Sequence, residues 1–269
     1  MIAQNLHMHS TWDDGSHSVE EMILASRAAG LTSVGVSVHC PMPFESGWSC
    51  PQARLPDYIA EVRALGTKYA GTIDVYLGIE WDAAAQVDLS PYDYVIGSVH
   101  GLPSAGHTAV DRDAETTARC IRTCFAGDAD AMAEAYFAEL LKVAAQPEAD
   151  IVGHFDLITK FDEQRRFFDE DSPRYVRAAE RAMDALTAAG KIFEVNTGAI
   201  SRGYRTTPYP SARWLRRLRA MGGRATVSAD AHAAGGVACA FGQAEALLRA
   251  CGFAEIWVLQ GKKFVPVGL

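Results

Sequence analysis

Two histidines near the start of the chain are separated by a single residue. His7 and His9 follow a short, mostly apolar segment that is typical of a buried strand. Alternate residues of a strand point to the same face, so both imidazoles are expected to converge on one place. Two imidazoles at a strand end are a common beginning of a metal site. The pattern also arises by chance in many chains, so its meaning depends on what ends the other strands.

Predicted strands and helices alternate along all 269 residues. The strands are predicted at residues 2–6, 32–38, 74–79, 92–99, 150–153, 191–195 and 224–228. This order favours an α/β fold, in which helices connect the strands of a parallel sheet. No repeat, low-complexity tract or linker divides the chain, and barrels of this length are common. We therefore predict one domain over residues 1–269, with an irregular, lid-like insertion at about 101–130.

Residues that can bind a metal follow six of the seven predicted strands. In a β/α barrel all these positions lie on one face, where the catalytic loops gather. Six of the eight histidines in the chain are among them, which scattered core or loop histidines would not readily produce. The residues are His7, His9, His39, Glu80, His100, His154, Asp230 and His232. The series predicts a metal site that holds more than one ion.

The ligand types narrow the choice of metal. Imidazole and carboxylate groups without clustered thiolates favour zinc, manganese or iron. Eight ligands exceed what one tetrahedral ion needs, so two or three ions sharing a bridging carboxylate are expected. Asp14, in the loop after the first strand, is the natural ninth ligand. For Asp13 and Asp14 a solvated turn is the alternative interpretation.

Composition limits the possible partners. The net charge of −8 disfavours broad nucleic-acid binding, which requires a basic face, but it allows a small phosphorylated substrate. The sequence has no apolar run long enough for a membrane span and no signal-peptide pattern at its start, so we expect a cytoplasmic protein. No pattern in the sequence predicts the oligomeric state.

The strand-end motifs resemble those of the polymerase-and-histidinol-phosphatase (PHP) family. The matching segments are His7-Met8-His9-Ser10, Asp14-Gly15, His39, Gly78-Ile79-Glu80, Gly97-Ser98-Val99-His100, Gly153-His154 and Ser228-Ala229-Asp230-Ala231-His232. The resemblance implies a distorted, TIM-like barrel of seven β/α units with three metals at the carboxyl ends of the strands. Segments 92–100, 154–157 and 194–203 resemble the histidinol-phosphate phosphatase branch in particular.

The resemblance also implies how the ligands are shared. One metal would take His7, His9, Glu80 and Asp230, and a second would share Glu80 and add His100 and His154. The third would use Asp14, His39 and His232. One position departs from the family, because Val38 stands where an aspartate commonly precedes the histidine of the second strand. A carboxylate that orients His39 is therefore expected to be missing.

The reaction implied is hydrolysis of a small phosphomonoester, above all L-histidinol phosphate, by a metal-bridged hydroxide. Besides this hydroxide, we predict Asp156 and His232 as catalytic groups. Asp156 would face the site if its strand continued past His154, where it could protonate the leaving alcohol or hold an amine; an ordinary buried aspartate fits equally well. Phosphate recognition favours a guanidinium, whose fork matches two oxygens. Arg202 is the first candidate, followed by Arg165 and Lys160.

Three alternatives remain open at this point. Other phosphomonoesters or mononucleotides would suit the same site. Barrels with paired histidines and two metals also hydrolyse C–N bonds, although they usually carry a metal-bridging lysine at a strand end, and we see none. A non-enzymatic role, such as metal storage or partner binding, fits poorly with arginines and a lid above the metals.

Overall fold

Seven short strands form one parallel sheet in the computed structural model, which describes residues 2–44 and 46–269. The strands follow one another in chain order across the sheet, and every neighbouring pair is parallel. They are β1 (Gln4–Asn5), β2 (Ser33–His39), β3 (Asp74–Asp82), β4 (Tyr94–Ser98), β5 (Ile151–Val152), β6 (Ile192–Asn196) and β7 (Arg224–Ser228).

The two edges of the sheet meet just beyond β1 and β7. Met8 and Ala231 form a parallel bridge, in which the His9 amide donates to the Ala231 carbonyl at 2.9 Å and the Ala231 amide donates to the His7 carbonyl at 3.2 Å. The sheet is therefore a nearly closed barrel, and its closure brings the first and last strand ends together. The predicted TIM-like barrel of seven β/α units is confirmed.

Helices cover the outside of the sheet. Their bounds are α1 (Val19–Ala28), α2 (Leu55–Lys68), α3 (Ala114–Cys124), α4 (Ala129–Ala145), α5 (Pro173–Ala188), α6 (Gly198–Ser201), α7 (Ala212–Ala220) and α8 (Phe241–Ala250). A capping box starts α1: the Glu21 amide donates to the Ser18 hydroxyl, and the Glu21 carboxylate accepts from the Ser18 amide at 2.8 Å. No helix within the described residues is long and apolar enough to span a lipid bilayer.

Tyr94 fills the interior of the barrel below the strand ends. Its hydroxyl donates to the carbonyl of Leu6, and its ring lies against the backbones of Gly35 and Gly78. A β-carbon added at Gly35 would lie 2.2 Å from the Tyr94 oxygen, so only glycine fits there. The amino-terminal end of the barrel is closed by a hairpin of β8 (Glu255–Gln260) and β9 (Lys263–Gly268). The barrel therefore opens at its carboxyl-terminal end.

Residues 101–130 are more regular than the sequence suggested. They contain a small hairpin (Gly101–Leu102 with Thr108–Ala109) and the helix α3. Asp113 caps α3, because its carboxylate accepts from the Thr116 amide at 2.6 Å. The helix was missed because its buried face is made largely of Thr, Ala and Cys rather than of large apolar residues. That this segment acts as a lid stays a prediction.

Candidate metal centre and its cavity

The strand-end residues meet at the open mouth of the barrel, where most of them are buried. His7 and His9 have no exposed surface, and Glu80 is 1% exposed. His39, His100, His154 and Asp230 are also buried, whereas His232 is half-buried and Asp14 is exposed. The barrel thus brings together residues from positions 7 to 232 that share only their location at strand ends.

Glu80 lies at the centre of this cluster. Its Oε2 is 3.2 Å from His7 Nε2 and 2.8 Å from His39 Nδ1. Its Oε1 is 3.3 Å from His100 Nε2 and 3.2 Å from His154 Nε2. Four imidazoles from four strands therefore surround one carboxylate, which is the arrangement expected of a carboxylate that two ions share.

Three groups of donor atoms are compact enough to hold an ion, each within 4.8 Å. The groups are His7 with His9 and Asp230; His39 with Glu80 and His100; and His9 with Asp14, His39 and His232. They resemble the three predicted ligand sets but are not identical to them. His9 and His39 each belong to two groups, whereas His154 belongs to none of them, although its Nε2 lies 3.2 Å from Glu80 Oε1.

Several of these donors make no hydrogen bond although they are fully buried, because the short N···O contacts at Glu80 Oε2 do not have hydrogen-bond geometry. They are Nε2 of His7, Nε2 of His9, Nδ1 of His39 and Oε2 of Glu80. A buried polar atom without a partner is rare and costs about 1–3 kcal/mol. Imidazole nitrogens and a carboxylate oxygen left open toward one point fit divalent metal ions, which would satisfy all four atoms.

Carboxylates behind three of the histidines fix which nitrogen faces the centre. Glu194 Oε1 accepts from His7 Nδ1 at 2.6 Å, and Asp13 Oδ2 accepts from His9 Nδ1 at 2.7 Å. Asp82 Oδ2 lies 3.2 Å from His100 Nδ1. A protonated Nδ1 leaves the Nε2 lone pair free for a metal. No sequence pattern predicts this role for any of the three carboxylates.

Asp13 also reaches the strand that carries Val38. Its Oδ2 accepts from the His39 amide at 2.9 Å as well as from the His9 ring. Val38 itself is fully buried in the apolar core. The carboxylate missing at position 38 is thus partly replaced by Asp13, which holds the His39 backbone rather than its ring. Asp13 is not the solvated turn residue that was the alternative interpretation.

The surroundings of Glu80 and Asp230 favour the ionised form of both carboxylates. Burial opposes ionisation of Glu80, but the surrounding His7, His100 and His39 outweigh it and hold the pKa of Glu80 well below its usual range. Asp230 behaves in the same way: burial is outweighed by Arg202 and His7, and its pKa is well below the ordinary value. Ionised carboxylates are the form that binds metal ions.

A cavity of about 720 Å³ opens directly above the metal-binding residues. Arg202 lies on its wall, where Nη1 donates to the Asp230 carbonyl at 2.8 Å and Nη2 donates to Asp230 Oδ2 at 3.0 Å. Lys160 also lines it, but its ammonium donates to the carbonyl and to Oδ2 of Asp111 at 2.8 and 3.2 Å. Trp48 and His107 add aromatic surface to the cavity wall.

Two of the predicted site residues, Asp156 and Arg165, do not line the cavity. The strand β5 ends at Val152 and a 3-10 turn follows at Leu157–Thr159, so Asp156 does not keep the strand alternation that would turn it toward the site. Asp156 is fully buried, accepts from the Ser211 amide at 3.0 Å and does not line the cavity; burial raises its pKa. This position favours the interpretation of Asp156 as an ordinary buried aspartate.

Arg165 is the second of these residues. Its side chain is 56% exposed and lies 3.7 Å from Glu115, over the ring of Phe167 and outside the cavity. The loop after β5 carries Arg165 to the protein surface, away from the residues that line the cavity. This arrangement does not favour the predicted role in substrate binding.

Comparisons with known proteins agree with this geometry. Residues 5–198 match the PHP domain family. A protein of Deinococcus radiodurans named "Probable histidinol-phosphatase" is 30% identical over 242 residues, which cover 86% of each chain. The "Histidinol-phosphatase" of Bacillus subtilis is 26% identical and covers 82% of this chain and 88% of its own. The crystal structure of histidinol phosphate phosphatase from Lactococcus lactis, complexed with zinc, L-histidinol and phosphate, superposes with a TM-score of 0.76 over 98% of both chains at 20% identity.

Proposed function

This chain belongs to the PHP domain family, and we propose that it is a metal-dependent phosphatase that hydrolyses L-histidinol phosphate to L-histidinol and phosphate. One observation carries the proposal: buried, unpartnered imidazole and carboxylate atoms surround Glu80 directly below a cavity that Arg202 lines. The names of the curated relatives support the choice of substrate.

We assign the ligands of two or three divalent ions to the clusters at the strand ends. His7, His9 and Asp230 would hold one ion, with Glu80 shared toward His100 and His154, and Asp14, His39 and His232 would hold another. Zinc, manganese and iron all suit this donor set. When bound, such ions supply an activated water at neutral pH and neutralise the phosphoryl oxygens.

The protein's own residues would perform the remaining tasks. Arg202 lies beside Asp230 and its Nε has no hydrogen-bond partner, so Nε and the second proton of Nη2 could donate together to two oxygens of a phosphoryl group at the metal centre. Glu194 and Asp13 keep His7 and His9 in the orientation that presents Nε2. Water adds to phosphorus as the P–O bond to L-histidinol breaks, and a proton passes to the leaving alcohol. Since Asp156 lies outside the cavity, we assign it no part in that proton transfer.

Other small phosphomonoesters and mononucleotides are the second candidate. The observation in their favour is the cavity volume of about 720 Å³, which exceeds what L-histidinol phosphate needs. Hydrolysis of C–N bonds is less well supported, because Lys160, the lysine that lines the cavity, donates to Asp111 instead of bridging the metal-binding residues.

Phosphate release from a substrate panel tests the proposal. Protein of known metal content is assayed with L-histidinol phosphate, simple phosphomonoesters and mononucleotides, beside the His100→Ala variant. The proposal predicts the highest kcat/KM for L-histidinol phosphate and almost complete loss in the variant. A higher kcat/KM for one of the other esters would change the assigned substrate but leave the proposed mechanism in place. Absence of phosphate release from metal-loaded protein would refute both.

A further inference from the structure

One carboxylate in the cavity is not needed for the metals. Among the described residues that line the cavity, the carboxylates are Asp14, Asp111 and Asp230, and the first and last belong to the donor groups. Asp111 lies in the segment between the small hairpin and α3, and its side chain remains 26% exposed toward the cavity. An aspartate here is unexpected, because a site for a phosphate dianion otherwise gathers positive charge.

Lys160 holds Asp111 in place. The lysine side chain is only 9% exposed, and its ammonium donates both to the backbone carbonyl and to Oδ2 of Asp111. The same ammonium lies 5.0 Å from the ring centroid of Tyr204 and 5.7 Å from that of Phe161, which further restrict it. Lys160 is thus engaged with Asp111 and is poorly placed to bind phosphate, the role that the sequence suggested for it.

The second oxygen of Asp111 is available. Oδ1 accepts no hydrogen bond from any residue that the structure describes, and the carboxylate borders open space rather than packed side chains. A carboxylate whose one oxygen is fixed and whose other oxygen faces a cavity is a positioned acceptor. Its complement is a cationic donor on the substrate.

We propose that Asp111 binds the ammonium group of the substrate and thereby selects phosphomonoesters that carry an amine. This inference rests on the proposed function and deepens it. L-histidinol phosphate has a primary amine on the carbon next to the ester carbon. An aliphatic amine is charged at neutral pH, whereas an imidazole with an ordinary pKa of about 6.5 is mostly neutral, so the ammonium is the better partner for a carboxylate.

Binding of the product alcohol tests the inference without requiring turnover. Calorimetry on the metal-loaded protein compares L-histidinol with 3-(imidazol-4-yl)propan-1-ol, which lacks only the amine. The wild-type protein should bind L-histidinol about 10- to 100-fold more tightly, the range expected for a charge-assisted hydrogen bond. Asp111→Asn should remove this preference and leave the affinity for the deaminated alcohol unchanged. Asp111→Glu, which keeps the charge, should retain part of the preference.

Asp184→Asn is the matched control, since Asp184 lies on the outer helix α5, 2.8 Å from Arg217. It should bind both alcohols as the wild-type protein does. The inference is overturned if the wild-type protein does not prefer L-histidinol, if Asp111→Asn keeps the preference, or if it weakens both alcohols equally. Phosphate release is measured in a separate experiment, so the proposed function can survive the failure of this inference.

Discussion

Glu194 accepts a hydrogen bond from Nδ1 of His7 at 2.6 Å, and neither side chain has any exposed surface. Glu194 also accepts from the His154 amide and from the Asn196 side chain, both at 2.9 Å. One carboxylate on β6 thus orients two metal-binding residues on two other segments. This arrangement explains why β6, which ends in no predicted ligand of its own, still contributes to the centre.

We expect Glu194→Gln to lower metal content and activity together. The amide keeps the shape but loses the charge that favours a protonated Nδ1 on His7. Loss of such a supporting carboxylate typically reduces metal affinity or activity about 10- to 100-fold. Elemental analysis and phosphate release on the same preparation measure both. Glu180→Gln, on the surface of α5, is the control, and unchanged metal content and rate in Glu194→Gln would contradict the role.

Arg202→Met should reduce kcat/KM about 100-fold or more, because a charge-assisted, bidentate contact to the phosphoryl group is lost. Asp230 Oδ2 would lose the hydrogen bond from Arg202 Nη2 but keep that from the Asn196 side chain at 3.3 Å, so most of the metal should remain bound. The assay is steady-state kinetics with metal content measured in parallel. Arg217→Met, which removes an arginine from the outer face of α7, should behave like the wild-type protein. Full activity in Arg202→Met would exclude the assigned role.

Asp162, which lies outside the metal centre, should make the stability of the folded protein depend on pH. Burial raises the pKa of Asp162 to about 7, while its value in the unfolded chain is about 3.9. The folded protein therefore holds a proton that the unfolded chain releases, so stability is highest below pH 4 for this group and falls as pH rises toward 7.

Asp162→Asn removes that dependence. Between pH 5 and pH 8, the melting temperature of the wild-type protein should fall relative to the variant by about 2–4 °C, since the partly exposed group contributes only about 1 kcal/mol. A further difference between the two melting temperatures, which does not change with pH, is expected because the Asp162 carboxylate accepts from the Phe167 and Phe168 amides, both at 3.2 Å. If the melting temperatures of the two proteins change with pH in the same way, the Asp162 carboxyl does not titrate in this range.

Gly35→Ala should destabilise the barrel. The added methyl group would meet Tyr94, whose hydroxyl is held by the Leu6 carbonyl and cannot retreat without losing that bond. Overpacking of this kind reduces the free energy of unfolding by about 1–3 kcal/mol. Gly242→Ala is the control, because nothing lies within 4 Å of its added carbon. Urea unfolding compares the two, and equal midpoints would argue against the close packing of Tyr94.

The sequence could predict the residues at strand ends because two regular geometries place them. Parallel strands end on one face, and alternation within a strand fixes which side each residue takes, so His7, His9 and Glu80 follow from position alone. The roles of Glu194, Asp13 and Asp82 could not be predicted this way. Each depends on how closely two segments distant in sequence approach, and a buried carboxylate has no local pattern.

The predicted roles that the structure does not favour concern residues beyond the regular strands. Asp156 was expected to face the site because the strand was assumed to continue, but β5 has only two residues and ends at Val152, before Asp156. Lys160 was judged by its charge alone, whereas its actual partner is Asp111, 49 residues earlier. Domain boundaries, location in the cytoplasm and the number of bound ions stay predictions.

Stepwise metal reconstitution tests the central claim most directly. Protein stripped with a chelator is titrated with zinc or manganese, and phosphate release from L-histidinol phosphate and the melting temperature are followed together. We predict no activity without metal, with activity and melting temperature both rising as two to three equivalents bind; a ligand at 100 times its Kd stabilises by about 2.7 kcal/mol. Full activity in the stripped protein, or metal binding that restores no phosphate release, would contradict the account.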